Sequence, residues 1–256
     1  MKNLFKLIFA LIFMLNANAQ DLATSDTIVQ TEDYPKNFIK TNITSIALNN
    51  YSFQYERVLT KSISFAISYR FMPESNIPFK KKLLSEVGDD EASEFILNNS
   101  KISNMAITPE IRFYLGKGYG RGFYIAPYYR YAKFKTDQFY IEYVDDQGND
   151  QNFKLTGDVS SHSGGIMFGA QWTIGKYLCI DWWILGAHYG SSKGQLSGVS
   201  STPLSPTEQS EIRDVLEDFE IPLVDTEVKV DSNRATMKMD GPWAGIRAGI
   251  SLGIRF

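Results

Sequence analysis

Three polar residues near position 160 have types and spacing that could support nucleophilic chemistry. Ser160, His162 and Ser163 place two hydroxyls beside an imidazole, and a base activates a nucleophile only from within hydrogen-bond reach. Ser160 and His162 are two positions apart, so they share one face of an extended strand. That face is the apolar one described below, and no orienting carboxylate is identifiable beside them. We therefore do not expect the chain to be an enzyme.

The residues that could bind a metal are equally isolated. His188 belongs to the same apolar parity and has no Cys or His pattern near it. The Asp-rich segment 145–150 could offer oxygen ligands to Ca²⁺, but Gly148 is misplaced for an EF-hand loop, which favours an ordinary solvated turn. Cys179 is the only cysteine and indicates a small buried apolar residue, with no disulfide scaffold. We expect neither a cofactor nor a metal.

The elements that must position these residues are extended strands, because the sequence alternates between apolar and polar side chains. Residues 62–71 place Ile63, Phe65 and Ile67 on one face and serine, alanine and arginine on the other. Eight segments alternate in this way, at 39–47, 51–56, 62–71, 105–115, 123–131, 165–174, 178–189 and 245–256. The sequence thus predicts an all-β fold.

The polar rows of these strands contain charges of both signs. They are Lys40, Glu56, Arg70, Glu110, Arg112, Arg130, Asp181 and Arg247, accompanied by Gln54 and Gln171. An enclosed charge without a partner is costly, so we predict that these eight residues pair as one network inside a closed sheet. The remaining interior is assigned to Tyr124, Tyr128, Trp183 and Tyr189.

The ends of the chain predict export. Residues 1–19 combine Lys2 and Lys6 with a short apolar stretch and a final Ala-Asn-Ala, the pattern of a secretory signal peptide. Residues 20–36 would form a periplasmic tail, and residues 37–256 the folded domain. The formal charge is −3, and without the two lysines it is more acidic, so we expect no nucleic acid partner.

Strand length and connection length favour a membrane-spanning sheet over a soluble β-sandwich, which would also alternate. Strands of about ten residues match a tilted transmembrane strand, and short turns alternate with long connections at 72–103, 133–160 and 191–240. We predict an eight-stranded antiparallel up-and-down transmembrane β-barrel with both termini periplasmic. Ten strands are the alternative, if the hairpin expected at 139–155 joins the barrel.

Short helices are expected in the long connections. Ser205, Pro206 and Glu208 form a capping box with proline at the first helical position, and apolar residues follow at helical spacing. A lid on the barrel rim is favoured over a helix that binds a partner. A second helix is expected at 89–97, after an acidic first turn.

Four motifs resemble an uncharacterised Bacteroidota-type family of outer-membrane β-barrel proteins, a domain of unknown function. They are NYSFQYER at 50–57, PEIRFYL at 109–115, GFYIAP at 122–127 and DWW at 181–183. The resemblance implies fold and location, and it implies no activity. Phe256, with apolar residues at alternate positions before it, also looks like the C-terminal signal read by the outer-membrane assembly machinery.

These observations predict a monomer in the bacterial outer membrane. Its partners would be membrane lipid, lipopolysaccharide and the assembly machinery, while the sequence identifies no extracellular ligand. We expect a structural, surface-interaction or adhesive role in the extracellular loops. The alternatives are a lipid A-modifying enzyme, or a narrow gated pore for small ligands. An eight-stranded interior filled by its own side chains makes a standing channel the weaker alternative.

Overall fold

The computed structural model describes residues 35–47, 49–77, 95, 98–116, 118–218 and 223–256. The predicted signal peptide at 1–19, nearly all of the tail at 20–36 and most of the helix expected at 89–97 lie outside these residues. Among the helices described, none is long and apolar enough to cross a membrane.

The described residues form mostly β-structure with two helices. The strands are Asn37–Asn42 (β1), Tyr51–Val58 (β2), Ile63–Asn76 (β3), Lys101–Tyr114 (β4), Gly122–Val144 (β5), Asp150–Ile174 (β6), Leu178–Val199 (β7), Asp225–Val230 (β8) and Arg234–Arg255 (β9). A single helical turn, α1, spans Ile43–Ile46, and the longer helix α2 spans Pro206–Glu217.

Eight of the nine strands close into a ring of antiparallel pairs. The hydrogen-bonded order is β1-β2-β3-β4-β5-β6-β7-β9, and β1 also pairs with β9. At the closure, Asn37 and Phe256 exchange two backbone hydrogen bonds of 2.9 Å each. We call the end with these two residues the basal end and the opposite end the distal end. The predicted antiparallel ring of eight strands is confirmed.

The alternation of side chains determines which face of the ring is enclosed. In β2, every second residue is buried and the others are exposed. Phe53 is 55% exposed on the outer face, whereas its neighbour Gln54 is 3% exposed on the inner face. The inner face is therefore polar and the outer face apolar, the reverse of a soluble sheet packed on an oily core.

The long connections differ from those predicted, since much of 133–160 and 191–240 is strand. β5 and β6 stay paired as far as Val144 and Asp150, around the turn at 145–149. The hairpin predicted at 139–155 is confirmed, but it lengthens two strands of the ring instead of adding a pair. Mutual pairing satisfies backbone groups that a long loop would leave to water. The connection at 72–103 is likewise shortened by β3, which continues to Asn76.

The distal parts of the chain form a second, apolar core. We define the distal cap as α2, β8 and the parts of β5, β6 and β9 that pack with them. The buried residues of this core are Ile141, Phe153, Leu155, Leu204, Ile212, Leu216, Ala235 and Met237. The capping box predicted at Ser205 and Glu208 is present at the start of α2. Because Ile212 and Leu216 face this core, α2 packs as a lid, as expected.

One pair of neighbours on β7 has the opposite orientation to that predicted. His188 is buried at 9% exposure, whereas Tyr189 is 69% exposed and does not fill the interior. The pairing of β6 with β7 shifts register between Phe168 and Gly169, and β7 bulges between Trp183 and Gly186 against β9. An extra residue in one strand reverses the parity of every residue after it.

Loss of the cap hydrogen bond should loosen α2 without opening the ring. In Ser205→Ala, the Glu208 amide loses its acceptor at 3.2 Å, which should cost about 1 kcal/mol. Amide hydrogen exchange within Pro206–Glu217 should then be about fivefold faster. Ser210→Ala, an exposed substitution inside the same helix, is the matched control. Equal exchange rates in the two variants would contradict the capping role.

Candidate functional site

Five of the eight predicted interior charges meet in the basal half of the ring. We call Lys40, Glu56, Glu110, Arg112 and Asp181 the basal charge cluster. The Lys40 ammonium donates to Glu56 Oε2 at 2.5 Å, to Asp181 Oδ2 at 2.7 Å and to Gln171 Oε1 at 2.7 Å. Its three donors are therefore all used. Neither Lys40 nor the two carboxylates is more than 1% exposed.

Arg112 binds the same two carboxylates through the same oxygen atoms as Lys40. Its Nη1 donates to Asp181 Oδ2 at 2.7 Å and to Glu56 Oε2 at 3.1 Å. The rest of the guanidinium contacts Glu110, with Nε donating to Oε1 at 2.7 Å. These contacts come from strands β2, β4 and β7, so one side chain links well separated parts of the wall. Planar donor geometry suits arginine to this role better than lysine.

Neutral side chains supply the remaining hydrogen bonds of the cluster. Tyr114 OH donates to Glu56 Oε1 at 2.6 Å, and Ser64 Oγ donates to the same oxygen at 2.5 Å. Tyr124 OH and Trp183 Nε1 donate to Asp181 at 2.7 and 3.2 Å. Buried carboxylates need such donors because the low-dielectric interior offers no water to replace them. The sequence prediction omitted Tyr114 and Ser64, although both share the inward parity.

The charges of the basal cluster are almost balanced. Two cations face three carboxylates, and the third carboxylate, Glu110, is also approached by Arg247. Arg247 Nη1 lies 3.5 Å from Glu110 Oε2, while the guanidinium carbon lies 4.7 Å from the Tyr128 ring centroid and 4.8 Å from that of Trp183. With Arg247 included, cations and carboxylates are equal in number.

Arg70 and Arg130 do not join the network that we predicted for all eight charges. Arg70 Nη2 donates to Asn104 Oδ1 at 3.3 Å, and Arg130 Nη1 donates to Thr108 Oγ1 at 3.0 Å. Within the described part of the chain, no carboxylate lies at ion-pair distance from either guanidinium. Both arginines point inward as predicted, but every inward carboxylate is located nearer the basal end, so the pairing fails for geometric reasons.

The basal end of the interior is also closed by apolar side chains. Phe38, Val58 and Cys179 form a buried cluster there, with Tyr119 packed against it. Gln171 donates to the Gly120 carbonyl oxygen at 2.9 Å, which connects the 116–121 turn to the basal charge cluster. The arrangement leaves Cys179 as the buried apolar residue expected from its position.

The structure does not assemble the candidate catalytic residues. Ser160 Oγ contacts the Lys193 carbonyl at 3.4 Å, while His162 contacts Tyr129 OH on the outer face. Ser163 points inward instead and contacts the Arg130 carbonyl at 3.4 Å. No base therefore lies against a serine nucleophile in this group.

The Asp-rich turn is organised by its own hydrogen bonds. Asp145 accepts from the backbone of Asn149 and Gln147 and from two side chains. The bond from the Asn149 backbone, together with the others, holds the pKa of the Asp145 carboxyl below its usual value. Across the described residues, no group of three or more acidic, His or Cys side chains could hold a metal ion.

Fold and site together define a closed antiparallel ring of eight strands around an enclosed charge cluster. The chain belongs to a family described as "Protein of unknown function (DUF3575)", whose model matches residues 7–194. That range includes every residue of the basal charge cluster, and Arg247 falls outside it. No curated protein matches the chain at a significant level.

Removal of the Lys40 ammonium should destabilise the ring severely. In Lys40→Met, Glu56 and Asp181 would keep Arg112 as their sole charged partner, and breaking such a buried pair costs about 3–5 kcal/mol. Guanidinium unfolding of the purified protein, followed by tryptophan fluorescence, measures this change. Lys176→Met, at an exposed hairpin turn, is the matched control.

A second substitution tests whether charge balance causes the loss. Asp181→Asn in the Lys40→Met background removes one unbalanced carboxylate, so part of the lost stability should return. The coupling between neighbouring substitutions is measured as a double-mutant cycle. A Lys40→Met variant as stable as Lys176→Met would show that the basal charge cluster does not hold the ring together.

Proposed function

We propose that this protein is a transmembrane β-barrel of the bacterial outer membrane with a structural or surface-interaction role carried by its distal cap. The main support for the proposal is that polar side chains face the inside of the ring and apolar side chains face the outside, the reverse of a soluble β-protein. Charged groups are enclosed, while large apolar side chains cover the outer face on every strand of the basal half.

The outer face supports a lipid environment. Phe53, Ile67, Phe113, Trp182 and Leu252 lie on five different strands and are each at least 41% exposed. Soluble proteins rarely expose contiguous apolar patches larger than a few hundred Å². In a bilayer the same residues would contact acyl chains, and the closed ring would leave no strand edge unpaired in the hydrocarbon.

The ends of the chain support an orientation. Asn37 and Phe256 pair at the basal end, and the short turns at 59–62, 115–121 and 175–177 lie at that end too. Outer-membrane barrels place short turns and both termini in the periplasm and longer segments outside. The predicted signal peptide agrees with this placement, and the distal cap would then be extracellular.

The distal cap supports a surface role in preference to catalysis or transport. Its apolar residues are used in its own core, so the surface of α2 is polar, with Glu211, Asp214 and Glu217 facing away from Ile212 and Leu216. Segment 191–240 contains five basic and ten acidic residues. The serine and histidine residues near position 160 form no catalytic pair, and the basal charge cluster occupies the space that a pore would require.

The effect on stability of a charged residue placed on the outer face distinguishes a membrane protein from a soluble one. Leu252→Arg should destabilise a bilayer-inserted barrel by about 2–4 kcal/mol if Leu252 lies near the midplane, whereas it should be harmless on a soluble surface. Heat-dependent mobility of membrane-extracted protein in gel electrophoresis reports the folded fraction. Val199→Arg, at the distal end of β7 and 67% exposed, is the control. Wild-type mobility in Leu252→Arg, or a wild-type protein found in the soluble fraction, would refute the proposal.

The filled interior predicts electrical silence. Purified wild-type protein inserted into a planar lipid bilayer should show no steady ion conductance, because the basal charge cluster and the apolar residues below it block the axis of the ring. Lys40→Met should not create a stable channel either, since Arg112 and the tyrosines remain. Reproducible single-channel steps from the wild type would instead support the pore alternative.

A further inference from the structure

The distal half of the interior contains more positive charge than the protein neutralises. Among the eight charged residues predicted to face the interior, five are cationic and three are carboxylates, and all three carboxylates belong to the basal charge cluster. Because Arg247 lies 3.5 Å from Glu110, the excess of two positive charges among these eight is located at Arg70 and Arg130, beside Arg247. Enclosed like charges without a counter-ion are costly, so this arrangement is expected only where an anion offsets it.

These three arginines line one cavity. It has a volume of about 430 Å³, and the same wall contains Asn42, Ser52 and Ser68. Arg130 and Arg247 are 6% and 9% exposed. In the part of the chain described, Arg70 Nε is buried without a hydrogen-bond acceptor, and Arg247 Nη1, 3.5 Å from Glu110 Oε2, makes an ion pair but no hydrogen bond. The cavity therefore presents unused guanidinium donors in addition to unbalanced charge.

The cavity opens through the wall of the ring beside α1. The pairing of β1 with β9 ends at Asn42 and Ser251. β9 extends further toward the distal end, as far as its first residue, Arg234. Above that point α1 takes the place of a strand, and Thr44 Oγ1 accepts from the Ile250 amide at 3.3 Å. The lining of the cavity includes the outward-facing residues Ile246 and Ala248 together with the inward-facing Arg247, so it extends from the interior to the outer face.

An apolar groove begins at the same opening. Ile246 lines the arginine cavity and also the groove on the outer face of β6, β7 and β9. Phe168, Leu185 and Ala187 form the floor of that groove together with glycines. A molecule with an anionic head and an apolar tail would find both environments side by side.

We infer that Arg70, Arg130 and Arg247 form a binding site for a phosphate group, entered from the side between α1 and β9. Guanidinium groups bind phosphate oxygens through paired, charge-assisted hydrogen bonds. A phosphate monoester has a charge of about −2 near neutral pH, which matches the two positive charges of Arg70 and Arg130. The phosphate could be free or could belong to a lipid, and only the lipid source rests on the proposed function.

Binding is tested on folded, detergent-purified protein with defined probes. Inorganic phosphate, dihexanoyl phosphatidic acid and the phosphate-free dihexanoylglycerol are titrated separately by calorimetry, in chloride buffer of matched ionic strength. Binding of inorganic phosphate would support the site with a free ligand. Binding of phosphatidic acid without inorganic phosphate would support it with a lipid ligand. Equal heats for phosphatidic acid and dihexanoylglycerol, with none for inorganic phosphate, would overturn it.

Substitutions connect any binding to the three arginines. Arg70→Gln combined with Arg130→Gln should weaken phosphate binding by about tenfold or more, since each replacement removes hydrogen bonds from a charged donor. Arg234→Gln, exposed at the start of β9, should bind as the wild type does. Circular dichroism verifies folding, and the double variant should unfold at a higher temperature than the wild type without phosphate.

Each result of these substitutions is decisive for the site. Unchanged affinity for the bound probe in the folded double variant would overturn the assignment, as would a wild type that binds neither inorganic phosphate nor phosphatidic acid better than chloride and dihexanoylglycerol. Because these measurements are made in detergent, their failure would leave the membrane placement intact. Conversely, arginine-dependent phosphate binding by a protein that proves soluble would retain the site and reject the membrane placement.

Discussion

The shared use of Glu56 and Asp181 by Lys40 and Arg112 is the interaction on which the rest of the structure depends. Each cation contacts both carboxylates, and the four side chains come from β1, β2, β4 and β7. A cluster of this kind connects the walls of the ring across its interior. The enclosed polar groups bond to one another, and the apolar side chains of the strands lie on the outer face, where the proposed bilayer placement would bring them into contact with acyl chains.

The enclosed charged residues have different partners in the two halves of the interior. In the basal half, the carboxylates bind the cations and also accept hydrogen bonds from tyrosines and a tryptophan, so the space is filled. In the distal half, Arg70 and Arg130 have only neutral hydrogen-bond partners. β1 and β2 are shorter than the other strands of the ring, so the sheet ends beside these arginines. The basal half is suited to stability, whereas the distal half contains the arginines of the proposed phosphate site beside an opening in the wall.

The distal cap has its own apolar core, and this separates its stability from that of the ring. Ile212 and Leu216 pack on the extended β5–β6 hairpin, which already satisfies its backbone hydrogen bonds by pairing. The result is an ordered polar surface at the end opposite to Asn37 and Phe256. The acidic segment 191–240 contributes to this surface, which is why the proposed surface role is assigned to the distal cap.

The sequence by itself indicated the eight strands of the ring, the inward position of all eight charged residues and the start of α2, because side-chain parity and helix capping are local properties. It did not predict α1, which replaces the end of the strand expected at 39–47, or β8 and the distal extensions of the strands, because those depend on pairing with distant segments. It missed the reversed parity of His188 and Tyr189, since a bulge is determined by pairing between β7 and its neighbours. It also could not show that Arg70 and Arg130 lack carboxylate partners or that the wall opens beside α1. Those features depend on how far along the axis of the ring each residue lies relative to residues on strands distant in sequence. Only the tertiary structure establishes those relative positions.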